Sequence, residues 1–202
     1  MLRYIPGLME KGSPVCVLFT GEMGSDSPRL YCEMIQKARY GESFQVRAQG
    51  CKVGAYVLGE NGTSPEDYYL DSGRYKNGLA AKRAVSSLHR LEKRAGSMKI
   101  APYSGKGFDI LILFLKPERA MRLIQAYTWA RGDPVEIKTG GIASVCSDCT
   151  AYPMQGKPGI SMGCKGSRKH TGYGDEEVVV GIPFEIAGEI EEALGKIPGT
   201  FE

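Results

Sequence analysis

FDILILFLKPERAMRLIQAYTWARG, residues 108–132, decides how the chain is organised. The apolar run from Ile110 to Leu115 reads as a strand, and Pro117, a favoured first helical residue, opens a helix that Gly132 stops. PVEIKT, residues 134–139, alternates as a further strand before the glycine-led GGIASVC. The same order occurs earlier. PVCVLFT (14–20) reads as a strand, and a Gly/Ser loop leads to a helix over residues 28–40. FQVRA (44–48) is the next strand, and GCKVGAYVLG opens a short helix near Cys51. Aligned on their helices, PRLYCEMIQ meets PERAMRLIQ, so that Ile35 and Gln36 match Ile124 and Gln125. We read a diverged internal repeat of a strand–helix–strand–helix unit, about residues 14–59 and 108–150.

The segment between the units holds a tyrosine-rich turn region, a helix over residues 78–94 and a strand in MKIAPYSG; a strand and helix at 176–196 close the chain. Helices and strands alternate and no low-complexity linker intervenes. The expectation is one α/β or α+β domain over residues 1–202, built from two related halves. A chain of this length buries roughly 70% of its unfolded surface. The net charge of +3 is too small to imply nucleic acid, and the basic pairs Lys82-Arg83 and Lys93-Arg94 fall in a helical pattern that reads as a solvated face. No leader-like stretch opens the chain and no apolar run can span a bilayer, so a cytoplasmic location is expected. In that setting six cysteines point to metal binding or thiol chemistry before disulfides.

The cysteines are dispersed. Cys51 falls at the strand-to-helix junction of the first unit, and Cys146 about one turn into the equivalent junction of the second. Packing of the halves about a pseudo-two-fold would bring these junctions together. Cys149 follows Cys146 in a C-x-x-C pair, Cys164 lies in a glycine-bounded loop, and Cys32 sits near the start of its helix, where partial positive charge favours a thiolate. Cys16, inside an apolar strand, reads as core.

YCEMIQKARYGESF, GCKVGAYVLG, PERAMRLIQAY, VCSD, GCKGSR and DEEVVVGIPFE occur in this order, and together they resemble the uncharacterised archaeal and bacterial family called domain of unknown function 169. The likeness covers nearly the whole chain. It implies family cysteines at Cys32, Cys51, Cys146 and Cys164, without Cys149 or Cys16; Lys52 stands where members often carry proline. The resemblance implies no reaction.

Thiolate ligands select zinc or an iron–sulfur cluster over hard cations. Structural zinc sites use two close ligand pairs, and here only Cys146 and Cys149 form one, so scattered ligands favour a [4Fe–4S] cluster. The expected centre is therefore an iron–sulfur cluster on Cys32, Cys51, Cys146 and Cys164, with Cys149 as a fifth candidate, in an iron–sulfur protein of anaerobic metabolism. The competing readings are a zinc-stabilised binding module without enzymatic activity, a reactive thiol beside an anion-binding loop, a thioredoxin-type Cys146/Cys149 dithiol, and plain core thiols. In the loop reading Gly166, Ser167 and Arg168 hold a phosphate or carboxylate, with Lys165 and Lys169 adding positive field; alternatively these cations balance thiolates or pair with Asp175, Glu176 and Glu177. A redox partner protein, a small anionic ligand and a homo-oligomer are the partners considered. His89 reads as a surface or boundary residue; His170, six residues after Cys164, reads as an exposed loop histidine, with a substitute ligand as the alternative; Met121, Tyr127 and Trp129 read as core. No Ser–His–Asp set, paired carboxylates or nucleotide fingerprint appears.

Overall fold

The computed structural model describes residues 1–92 and 96–198. Its strands are β1 (Val15–Thr20), β2 (Ser25–Asp26), β3 (Phe44–Ala48), β4 (Ser97–Pro102), β5 (Ile110–Leu115), β6 (Gly159–Ser161) and β7 (Val178–Pro183). They form one sheet in the order β2-β3-β4-β1-β5-β7-β6, with β2 and β3 parallel and every other neighbour antiparallel. The helices are α1 (Tyr4–Gly7), α2 (Tyr31–Arg39), α3 (Lys52–Val57), α4 (Glu66–Asp71), α5 (Gly78–Ser86), α6 (Pro117–Arg131), α7 (Lys165–Thr171) and α8 (Phe184–Lys196). A π-helix occupies Ser144–Ala151 and a short 3₁₀ turn Pro153–Gln155. The fold is mixed α/β, as the sequence implies. No described helix is long and apolar enough to cross a membrane.

β5 organises two cores because successive side chains of a strand point to opposite faces. Ile110, Ile112 and Phe114 join a layer formed with Met34, Ile35 and Ala38 of α2, Val53 and Val57 of α3, and Val145 of the π-helix. Leu111, Leu113 and Leu115 join the other layer, with Leu123 and Ala126 of α6 and Ile186 and Ile190 of α8. All six side chains are buried on a strand with neighbours at both edges. At about 1.5–3 kcal/mol per buried aliphatic or Phe side chain, this strand is the hydrophobic centre of the molecule.

The two helices aligned in the sequence, α2 and α6, therefore lie on opposite faces of the sheet. α6 has the expected bounds, with Pro117 at its first position and Gly132 left-handed (φ 74°) after its last turn. α2 begins at Tyr31, not at Pro28, and the reason is local. Residues 27–29 run beside residues 48–50: Ser27 N donates to Ala48 O at 2.9 Å and Gly50 N to Arg29 O at 2.8 Å. A Cβ on Gly50 would stand 2.1 Å from Pro28 O, so only glycine permits this approach. Residues 134–139 form no strand. Both neighbours of β7 are already in place, and nothing covers Ile137, which is 48% exposed.

α5 ends at Ser86, short of the expected 78–94, because the following chain turns away to bond elsewhere: His89 N donates to Ser147 Oγ at 3.0 Å and Leu91 N to Val57 O at 2.8 Å. Lys93 and Arg94 lie outside the described residues. The tyrosine-rich region contains α4, and the loop expected around Cys164 leads directly into α7. On α6, Tyr127 is buried but Met121 and Trp129 are exposed, so only the first of that trio is core.

Candidate functional site

Four cysteines from four separate elements open into one cavity of about 510 Å³ on the α2 side of the sheet. Cys32 is the second residue of α2. Cys51 is the N-cap of α3, and its Sγ accepts from Gly54 N at 3.4 Å. Cys164 is the N-cap of α7, with Sγ accepting from Ser167 N at 3.3 Å, while Ser167 Oγ accepts from Cys164 N at 3.0 Å. Sulfur here replaces the usual oxygen of an N-cap and a capping box. Cys146 lies in the π-helix, where its Sγ donates to Ala143 O at 3.4 Å. Ala143, ahead of that helix, has φ 52°, a left-handed conformation that non-glycine residues adopt at a cost of about 1–3 kcal/mol.

The thiols feel one another. Burial first, then the charges of Cys164 and Cys51, push the Cys32 thiol up to about 12. Burial and the charges of Cys51, Cys164 and Cys32 push Cys146 well above the ordinary thiol range. Cys164 is the exception. Burial opposes its ionisation, but hydrogen bonds from the Ser167 side chain and from the backbones of Ser167, Ser144 and Gly166 hold it below the usual value. Among the described residues, no group of three or more His, Cys, Asp or Glu closes on a single metal ion.

Two buried polar clusters fix these elements, and neither shows as a motif in the sequence. Gln49, 7% exposed, accepts through Oε1 from Cys51 N at 2.7 Å and Tyr31 N at 3.2 Å, and donates through Nε2 to Cys51 O at 2.8 Å. One amide thus ties the start of α2 to the cap of α3. At the far end of α2, Arg39 donates to Glu177 through Nη1 at 3.1 Å and Nη2 at 2.5 Å, and stacks over Phe114 at 4.7 Å. Glu177 in turn accepts from Gly174 N at 2.8 Å, and Arg168 of α7 donates to the carbonyls of Glu177, Gly174 and Met162. The helices carrying Cys32 and Cys164 are thereby joined.

Arg168 is consumed by this structure: it also stacks on Tyr173 at 4.5 Å, and Asp175 stands 3.8 Å away, so its guanidinium does not line the cavity. Gly166 and Ser167 do line it, as do Lys165, Lys169 and His170. Cys149 is fully buried; its Sγ donates to Val179 O at 3.3 Å, and it is absent from the cavity walls. Cys146 and Cys149 point apart because the π-helix lies directly on the sheet between β6 and β7. The cross-strand pair Gly159 and Gly181 makes room for it, since a Cβ on either would come within 1.9 Å of Asp148 O or Cys149 O. Cys16 packs toward the second core, and burial raises its thiol to about 12. His89 is half-buried against the Tyr152 ring at 4.4 Å, outside the cavity.

The remaining cavity wall has one sign of charge. Lys52, Arg74, Lys165 and Lys169 line it, and among the described residues no Asp or Glu does. Tyr69 of α4, 2% exposed, also lines it. Burial and the charges of Cys146 and Cys164 keep its phenol firmly protonated.

No solved structure matches the chain. An uncharacterised protein of Methanocaldococcus jannaschii is 34% identical over 180 residues, covering 84% of this chain and 77% of the relative. The family described as uncharacterised ArCR, domain of unknown function 169, matches residues 8–193. The chain belongs to that family.

Proposed function

We propose that Cys32, Cys51, Cys146 and Cys164 hold a [4Fe–4S] cluster, and that the protein serves redox or cluster-dependent chemistry. The observation that carries this reading is the convergence of four thiols, each from a different element, on one cavity of about 510 Å³. A single zinc ion needs its ligands about 2.3 Å away on all sides, whereas a cluster with separated corners accepts ligands spread around a larger space. The raised Cys32 and Cys146 thiols fit the same reading. Like charges crowded in a buried site disfavour ionisation, and a bound cationic core reverses that balance by deprotonating its ligands. The backbone amides of Gly54 and Ser167 already donate to sulfur, the kind of hydrogen bond that tunes a cluster's potential. When bound, the cluster supplies one-electron transfer; the chain's own residues hold it, bury it and set its surroundings.

A second reading rests on Cys164, whose depressed thiol and access to the cavity also suit a reactive nucleophile. Metal analysis of single Cys→Ser variants purified without oxygen separates the two. Cys51→Ser and Cys164→Ser are expected to lose iron and sulfide, while Cys16→Ser and Cys149→Ser retain them. Full metal content in all four variants would overturn the ligand assignment. A metal-free protein in which Cys164 alone is rapidly alkylated would favour the reactive thiol.

A further inference from the structure

The cavity exceeds what a cluster fills. At about 30 Å³ per heavy atom, the share of a water molecule in the liquid, an eight-atom cluster takes roughly 240 Å³. About half of the 510 Å³ is then left. Charge gives the same answer. An oxidised [4Fe–4S] core with four thiolates carries a net charge of about −2. Lys52, Arg74, Lys165 and Lys169 bring four positive charges to the cavity wall, and none of them has a carboxylate partner among the described residues. Two positive charges remain after the cluster is balanced. Arg74 is held in place by aromatic faces, its guanidinium 5.4 Å from the Tyr68 ring and 5.5 Å from the Tyr69 ring; Nη2 makes a long 3.5 Å hydrogen bond to the Tyr68 hydroxyl, and the other donors have no carboxylate partner among the described residues. Beside it stands Tyr69, 2% exposed and on the cavity wall, close enough to Cys146, Cys164 and Cys51 to feel their charges. Its phenol is a hydrogen-bond donor at the cavity wall for a ligand that carries an acceptor.

We propose that the space beside the four cysteines takes a small dianion bearing carboxylate or phosphate oxygens, gripped by Arg74, surrounded by Lys52, Lys165 and Lys169, and hydrogen-bonded by Tyr69. The inference rests on the cluster reading, because the cluster sets both the space and the charge left over. Arg74 supplies the planar donors that match such oxygens, and the lysines raise the local anion concentration. The phenol discriminates, since only a ligand with an acceptor at that depth satisfies it.

The test uses anaerobically purified protein assayed for iron and sulfide, titrated calorimetrically at constant ionic strength with inorganic phosphate, malonate and the neutral malonamide. Phosphate or malonate is expected to bind and malonamide is not; which of the two binds tells phosphate from carboxylate. Arg74→Gln, at an exposed position, and Tyr69→Phe, which keeps the ring, are each expected to weaken binding about tenfold or more at unchanged iron content. Iron-loaded protein that binds neither anion, or binds one equally well in both variants, overturns this inference and leaves the cluster standing. Protein that contains no iron overturns the cluster reading and the inference with it.

Discussion

Gln49 shows how much one side chain can organise. Its amide bonds backbone groups of Cys51 and Tyr31 at the starts of two helices, where the first N–H groups have no intrahelical acceptor. Gln49→Leu keeps the volume and removes these bonds, above all the one to Cys51 N, at about 1–3 kcal/mol for a buried donor left unpaired. A lower urea midpoint together with reduced iron loading is expected; loading unchanged after correction for the folded fraction would show that Cys51 does not depend on Gln49. Glu177 works differently, through charge. Burial opposes its ionisation, but the hydrogen bonds from Arg39 and Gly174 prevail and hold it below the ordinary carboxylate range. A depressed folded pKa contributes stability that is complete above pH 4.5 and is lost as the pH falls through the lower folded value. Glu177→Gln leaves Arg39 buried without its counter-charge and is expected to cost about 3–5 kcal/mol at pH 7. The gap from wild type should narrow in urea melts below pH 4.5; a gap independent of pH would contradict the ionised pair.

At the scale of elements, the π-helix decides the site. Its wider turn sends Cys146 to the cavity and Cys149 into the core, although the two are three residues apart. Gly181→Ala tests its seating: the added Cβ meets the backbone of Cys149, which cannot swing aside as a side chain would. Overpacking of this kind costs about 1–3 kcal/mol, and iron loading is expected to fall because the Cys146 helix must lift. Full stability in Gly181→Ala would show that the helix has slack. The strands β1, β3, β4, β5 and β7 and the helices α6 and α8 were legible from apolar runs and from proline and glycine at their ends. The π-helix was not, since a one-residue-wider turn leaves no period in eight residues. Nor was the missing strand at residues 134–139, whose alternation promised a buried face: Val135 packs against the second core, but Ile137 is left 48% exposed.

Across the whole molecule, the four cysteines are 132 residues apart at the extremes, and no local spacing relates them. Their selection came from a family likeness; the cavity comes from the fold. The aligned helices α2 and α6 ended on opposite faces of the sheet, because the shared pattern of apolar positions specifies a buried face and says nothing about which layer buries it. Arg168 reads in the sequence as an anion binder, yet Glu177 and Gly174, close in sequence, compete for it successfully through backbone carbonyls. Arg74 and Tyr69, the cavity's more telling groups, lie in a region that reads only as turns, and their meaning depends on where α4 packs. The second layer, α6 and α8 over β5 and β7, carries none of the cavity residues and acts as the support on which the thiol-bearing face is built. The most direct test of the central claim is the ratio of iron, acid-labile sulfide and zinc to protein in wild-type chain purified without oxygen. Four iron and four sulfide per chain, with brown colour and negligible zinc, is the predicted result; colourless protein carrying one zinc per chain would contradict it.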